Sequence, residues 1–270
     1  MKITSCQSPL MNEHCRAIAH YLSERLGVPV TYIDDIPWQE RYEQLDRGQI
    51  DVAWICGAPY VRRVDRADVG IELLVAPVWQ GERYGDQPVY FSDVVVHGES
   101  RFHAFADLRG ATWAYNEPGS FSGYEAMRYH LAVQGLAGDF FGKVVESGAH
   151  TQSLALILAG EVDVAAIDST VLEAVLAQQP ALASQLRIID VIGPSPMPPW
   201  VASQQLASEL RQAVRRVLTG MADDPVGAAL LRAGNIARFA PVSDADYDAT
   251  RRMLRLAATV QVLPHPAIAA

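Results

Sequence analysis

Short apolar runs and stretches of helical period take turns along this chain. Residues 2–6 make a first run, 12–25 repeat apolar side chains every three or four positions up to Gly27, and 28–33 alternate again. These periods predict strand, helix, strand. A helix over 38–47, a short one from Pro59 and a strand over 71–78 continue the series. Such βαβα alternation is the signature of a doubly wound α/β lobe. After a polar, loop-like stretch at 80–87, a long strand is expected over 88–96. A second series starts near Ser100, with strands over 111–115, 143–146 and 186–192 and helices over 123–134, 151–159 and 171–178. The stiff segment Pro194-Ser-Pro-Met-Pro-Pro199 suits a return crossing. The stretch 206–258 reads as three helices, with Asp223-Asp-Pro225 and Ser243-Asp244 as caps.

One phrase occurs in both series. Leu45-Asp-Arg-Gly-Gln-Ile-Asp-Val-Ala53 is echoed by Ile157-Leu-Ala-Gly-Glu-Val-Asp-Val-Ala165. Each copy reads as a helix end, a glycine turn and a short strand apolar on both faces. In parallel α/β sheets ligands sit beyond the carboxyl ends of strands. Cys56-Gly-Ala-Pro-Tyr60 and Asp168-Ser-Thr170, just past the two echo strands, are therefore candidates for a shared cleft. The echo is too short and too widely spaced for a solenoid; it fits two similar lobes.

Composition narrows the function classes. The 270 residues are 50% apolar and 20% charged, ordinary for a globular protein, and exceed the usual size of one core. A net charge of −9 without a dense Lys/Arg cluster argues against a nucleic-acid partner. No segment approaches the ~20 apolar residues of a membrane span. Met1-Lys-Ile-Thr-Ser-Cys6 lacks the apolar core of a secretion signal, so the expectation is a cytoplasmic chain, or a periplasmic one whose leader was removed. Three cysteines, 6, 15 and 56, do not imply a disulfide framework.

The richest local chemistry is Pro118-Gly-Ser-Phe-Ser-Gly-Tyr124 at a strand-to-helix junction. Small residues let backbone approach a bound group, the first helical turn has unpaired N–H donors, and Ser120 and Ser122 add hydroxyls. A planar or tetrahedral oxyanion fits there. Equally, Ser122 with Glu125 reads as a capping box that satisfies those donors internally. Ser147-Gly-Ala-His150 is a second small-residue turn, whose histidine either faces water or donates to an anion. Asp168 reads as the cap of the following helix, or as a ligand group for a cationic or hydroxyl end. Trp38, Tyr60 and Tyr90 are the aromatic candidates for a wall. No nucleophile elbow, P-loop, dinucleotide fingerprint or zinc spacing occurs, and no cofactor is expected.

These residues resemble the substrate-binding proteins of phosphate, phosphite and phosphonate ABC transporters, in the phosphonate-binding branch of the type 2 periplasmic binding fold. The resemblance runs from Ile3 to about Val217. Its carriers are Gly48-Gln-Ile-Asp-Val-Ala-Trp54, Gly57, the Ser-rich turn, Ser147-Gly-Ala-His150 and Gly160-Glu-Val-Asp-Val-Ala-Ala-Ile-Asp168. It implies two α/β lobes joined by two crossing strands, with C-terminal helices. Lobe 1 would be 1–90 plus 195–270, lobe 2 91–194, and the hinge would lie near 86–97 and 188–200. It implies phosphonate oxygens held by Ser120, the Phe121 backbone N–H, Ser122 and His150. Asp168 would face an amino end, and Trp38 and Tyr90 would be the aromatic wall. The expected partners are a small oxyanion and an ABC permease. An enzyme on the same fold, using Cys56, His150 and Asp168, and a cytoplasmic sensor are the alternatives.

Overall fold

A computed structural model describes residues 1–66 and 70–262. The chain opens with β1 (Lys2–Ser5), α1 (Asn12–Leu26), β2 (Thr31–Ile33), α2 (Trp38–Asp46), β3 (Val52–Trp54), α3 (Gly57–Arg66) and β4 (Ile71–Trp79). Next come β5 (Val89–His97), β6 (Thr112–Tyr115), α4 (Ala126–Val133), β7 (Lys143–Glu146), α5 (His150–Leu158), β8 (Val164–Asp168), α6 (Ser169–Gln178) and β9 (Leu186–Pro196). The chain then forms β10 (Trp200–Ser203), α7 (Ser208–Thr219), α8 (Pro225–Ala233), β11 (Ile236–Ala240) and α9 (Asp248–Ala257).

Two compact units result: Met1–Val89 with Pro196–Asp248, and Tyr90–Ser195 with the residues from Ala249 onward. The first holds a six-stranded sheet in the order β11-β4-β10-β3-β1-β2, the second a five-stranded sheet in the order β7-β6-β8-β5-β9. Both sheets are mixed. β1, β2 and β3 run parallel, while β10 pairs antiparallel with β3 and β4, and β11 antiparallel with β4. In the second unit β6 is parallel to β7 and β8, and β5 is antiparallel to β8.

Three features depart from the sequence expectations. The C-terminal stretch is not helical throughout: Ile236–Ala240 forms an edge strand between α8 and α9. Its Arg238 reaches Asp86 at 3.2 Å, so one side stays polar and the helical period could not reveal it. β10 also enters the first sheet, directly after the Pro-rich segment. The chain passes between the units a third time, at Asp248, and α9 packs with the second unit, through Ser195 Oγ on Met253 Sδ for instance.

The echo is structural. Gly48 and Gly160 have φ of +67° and +71°, the left-handed turn that L side chains resist. Each is followed by a strand buried on both faces, β3 and β8. Burial of Val52, Ala53, Val164, Ala165, Ala166 and Ile167 places these strands inside their sheets and fixes where their carboxyl ends emerge.

Candidate functional site

Because β6, β7 and β8 run parallel, their carboxyl ends share one edge of the second sheet. From that edge leave the three segments singled out in the sequence: Pro118 to Tyr124, Ser147 to His150, and Asp168.

The Ser-rich turn is a single π-helical turn, Phe121–Glu125, leading into α4. Such wide turns recur at functional sites. Ser120 caps it, its Oγ accepting from the Gly123 N–H at 3.1 Å. Glu125 takes the Arg128 guanidinium at 2.8 Å. The alternative pairing of Ser122 with Glu125 therefore gives way to a cap from Ser120, whose hydroxyl accepts the third N–H of the turn. Ser122 is left for another partner: its Oγ lies 2.9 Å from His150 Nε2. Both serines and Phe121 are buried. Burial pushes His150 down to about 4, so the ring is neutral at pH 7.

The Ser147 Oγ donates to Tyr115 O at 3.0 Å and sits 2.6 Å from Ser153 Oγ, tying the second turn to β6. This holds the start of α5, and with it His150, beside the Ser-rich turn. Glu117 precedes the turn; burial pushes its carboxyl up to about 7, with the charge of Glu146 adding to the shift. Asp168 is only 8% exposed. Its Oδ1 accepts from the Thr170 N–H at 2.8 Å and the Thr170 hydroxyl at 2.7 Å, so it caps α6. Burial raises it to about 6 despite those bonds, and nearby Asp93 adds to the shift.

The aromatic candidates differ in setting. Tyr90 opens the second unit and is 1% exposed. Tyr60, in the first unit, is 2% exposed; its hydroxyl donates to Asp244 at 2.8 Å and its ring packs 4.8 Å from that of Tyr247. Trp38 is 36% exposed and meets Tyr42 edge-on. With Tyr42, Pro59, Arg62 and Arg66 it lines a cavity of about 370 Å³ between α2 and α3. Cys56, at the end of β3, donates its N–H to the Tyr42 hydroxyl oxygen at 3.4 Å.

Sequence reasoning passed over Asn116. Its Oδ1 is buried without a partner, as is His150 Nδ1. The available signal was its place as the first residue past an apolar strand. Among the described residues no cluster of His, Cys, Asp and Glu could hold a metal, and no helix is long and apolar enough to cross a membrane.

Comparison with known proteins bears on this geometry. A family model described as the periplasmic substrate-binding protein of phosphonate ABC transporters matches residues 1–247. A binding protein component of an ABC phosphonate transporter from Pseudomonas aeruginosa superposes with a TM-score of 0.83 at 18% identity, over 96% of this chain and 86% of that one. PhnD1 from Prochlorococcus marinus, in complex with methylphosphonate, gives 0.80 at 19% identity, over 96% and 98%. The periplasmic aliphatic sulphonate binding protein SsuA from Escherichia coli gives 0.63 at 16%, over 96% and 86%. The fold is that of the type 2 periplasmic binding proteins.

Proposed function

The chain belongs to the periplasmic substrate-binding proteins of phosphonate ABC transporters, and from that premise we propose that the shared edge of β6, β7 and β8 holds the oxyanion of its ligand. The protein is a substrate-binding protein and not an enzyme. The observation that carries the assignment of residues is the contact of Ser122 with His150, which joins the two small-residue turns. Ser120, Ser122, the Phe121 N–H and His150 are the proposed donors. Asp168 is the proposed partner of a cationic ligand end, through the oxygen that does not cap α6. Tyr90 is the aromatic candidate of the second unit, and Trp38 and Tyr60 those of the first.

Neutral donors suffice for this task. Hydrogen bonds to a charged group contribute about 1.5–3 kcal/mol each, so four total roughly 6–12 kcal/mol, of which the upper part offsets the cost of association. Micromolar affinity needs about 8 kcal/mol. The net charge of −9 does not oppose it, because carboxylates beyond a Debye length of about 8 Å are screened. A periplasmic location and delivery to an ABC permease follow from the family and belong to the same proposal.

Calorimetry against phosphate, phosphite, methylphosphonate and 2-aminoethylphosphonate tests the reading. We expect micromolar or tighter binding of at least one. Ser122→Ala should weaken it at least tenfold, the loss of one charge-assisted bond. Silence from all four ligands with folded wild-type protein rejects the proposal.

A further inference from the structure

Arg128, in the first turn of α4, ties together two segments that lie far apart in the chain. Its Nη1 donates to Glu125 Oε2 at 2.8 Å, and its Nε donates to the Val260 carbonyl oxygen at 3.0 Å. Its Cζ lies 5.2 Å from the centre of the Tyr124 ring, which in turn stacks on Trp113 of β6 at 5.7 Å. The side chains of Arg128 and Glu125 are only 16% and 6% exposed, so the pair is shielded from water.

Val260 belongs to a strap, residues 258–262, that follows α9 and lies with it in the second unit. Val260 and Val262 are buried. The strap runs so close to Gly138 that a Cβ built there would lie 1.5 Å from Gln261 O. Any side chain at 138 would push the strap from its seat.

We propose that Arg128 is a positioning residue that braces the Ser-rich turn against the C-terminal strap and so holds the anion donors in place before the ligand arrives. This rests on the oxyanion reading above. A guanidinium is a rigid planar fork, and acceptors on two of its edges fix how it lies. Glu125 closes the π turn that carries the Phe121 N–H and Ser122, and its own N–H donates to Ser120 O at 3.2 Å. Holding Glu125 therefore holds the donors around it. The far end of the brace is anchored by the buried valines and by the fit against Gly138. The ion pair also cancels the Glu125 charge, which would otherwise oppose an anion from within the same turn. Donors ordered in advance lose less freedom on binding, so affinity depends on a segment more than 130 positions away.

Three full-length variants separate bracing from charge. Arg128→Met removes both. Arg128→Lys keeps a cation for Glu125 but has no planar fork to span two acceptors. Gly138→Ala displaces the strap and leaves Arg128 and the turn as they are. Hydrogen exchange on ligand-free protein, read by mass spectrometry, follows peptides covering 120–127, with β8 as the internal reference. Calorimetry with methylphosphonate reads affinity, and urea unfolding reads stability. In all three variants we expect exchange in the turn to rise roughly tenfold more than in β8, and methylphosphonate to bind roughly tenfold more weakly. Arg128→Lys should recover most of the stability lost in Arg128→Met, and not the affinity. Turn exchange that rises no more than that of β8, wild-type affinity in Arg128→Lys, or a wild-type turn in Gly138→Ala overturns the proposal and leaves the oxyanion reading intact. A folded wild type that binds no methylphosphonate, phosphate, phosphite or 2-aminoethylphosphonate overturns the oxyanion reading itself and, with it, the role given to Arg128.

Discussion

Replacing Asp168 with asparagine should make the folded protein more stable at pH 8 and a poorer receptor for an aminoalkyl ligand. The carboxyl is buried beside Asp93, and burial raises it from the usual 3.8 to about 6. Its ionised form is therefore worse off in the fold than in the unfolded chain. The loss begins as pH climbs through 3.8 and is complete above about 6. A displacement of this size corresponds to roughly 3 kcal/mol at pH 8. Asparagine removes the charge and still caps α6 by accepting from the Thr170 N–H, at little cost because the two residues rank together as caps. The net gain expected is about 2–3 kcal/mol. Urea unfolding of ligand-free wild type and Asp168→Asn, at steps from pH 3.5 to 8, measures it. The difference should be near zero at the acid end, grow between 3.8 and about 6, and level off above. A variant no more stable than wild type at pH 8, or a difference that does not change with pH, refutes the reasoning. Affinity for 2-aminoethylphosphonate should fall more than that for methylphosphonate, the trade of stability against function expected where a ligand offsets a buried charge.

Three further outcomes follow from the same physics. Burial holds His150 near 4 against the usual 6.5, so its neutral form favours folding above pH 6.5 and that contribution, roughly 3 kcal/mol, is lost as pH falls toward 4. The difference between wild type and His150→Gln in urea unfolding reads it free of the opposite drift from Asp168. Gly160→Ala and Gly48→Ala should each cost about 1 kcal/mol through backbone strain at φ +71° and +67°, since Gly160 has open space around it and the exposed end of Gln205 beside Gly48 can swing aside. Thermal unfolding measures both. Cys15 is buried and its thiol is pushed up to about 12, whereas Cys6 and Cys56 are half-buried. Iodoacetamide at pH 8 should label positions 6 and 56 well before 15, as read by peptide mass mapping, and unfolding should abolish the difference.

Much of the site's framework was legible in the residues themselves. The strand that ends at Tyr115, the glycine turns at 48 and 160, and the small-residue segments after β6 and β7 each depend on neighbours within one turn or one strand. Periodicity and the conformational freedom of glycine report such features directly. The assignment of the serines was not legible. Ser122 reads equally well as the cap of its own helix, and that capping role falls to Ser120, the residue just before the turn.

The chain by itself determined the order of βα pairs, the two buried echo strands and which turn carries hydroxyl donors, since all of these are settled by local period and by residue type. Tertiary structure alone decided that Ser122 meets His150, 28 positions away, and that the Tyr60 hydroxyl goes to Asp244, 184 positions away. It also decided that Ile236–Ala240 becomes a strand. Those outcomes depend on which distant groups are left in need of a partner once water is excluded, and no window along the sequence contains both members of such a pair.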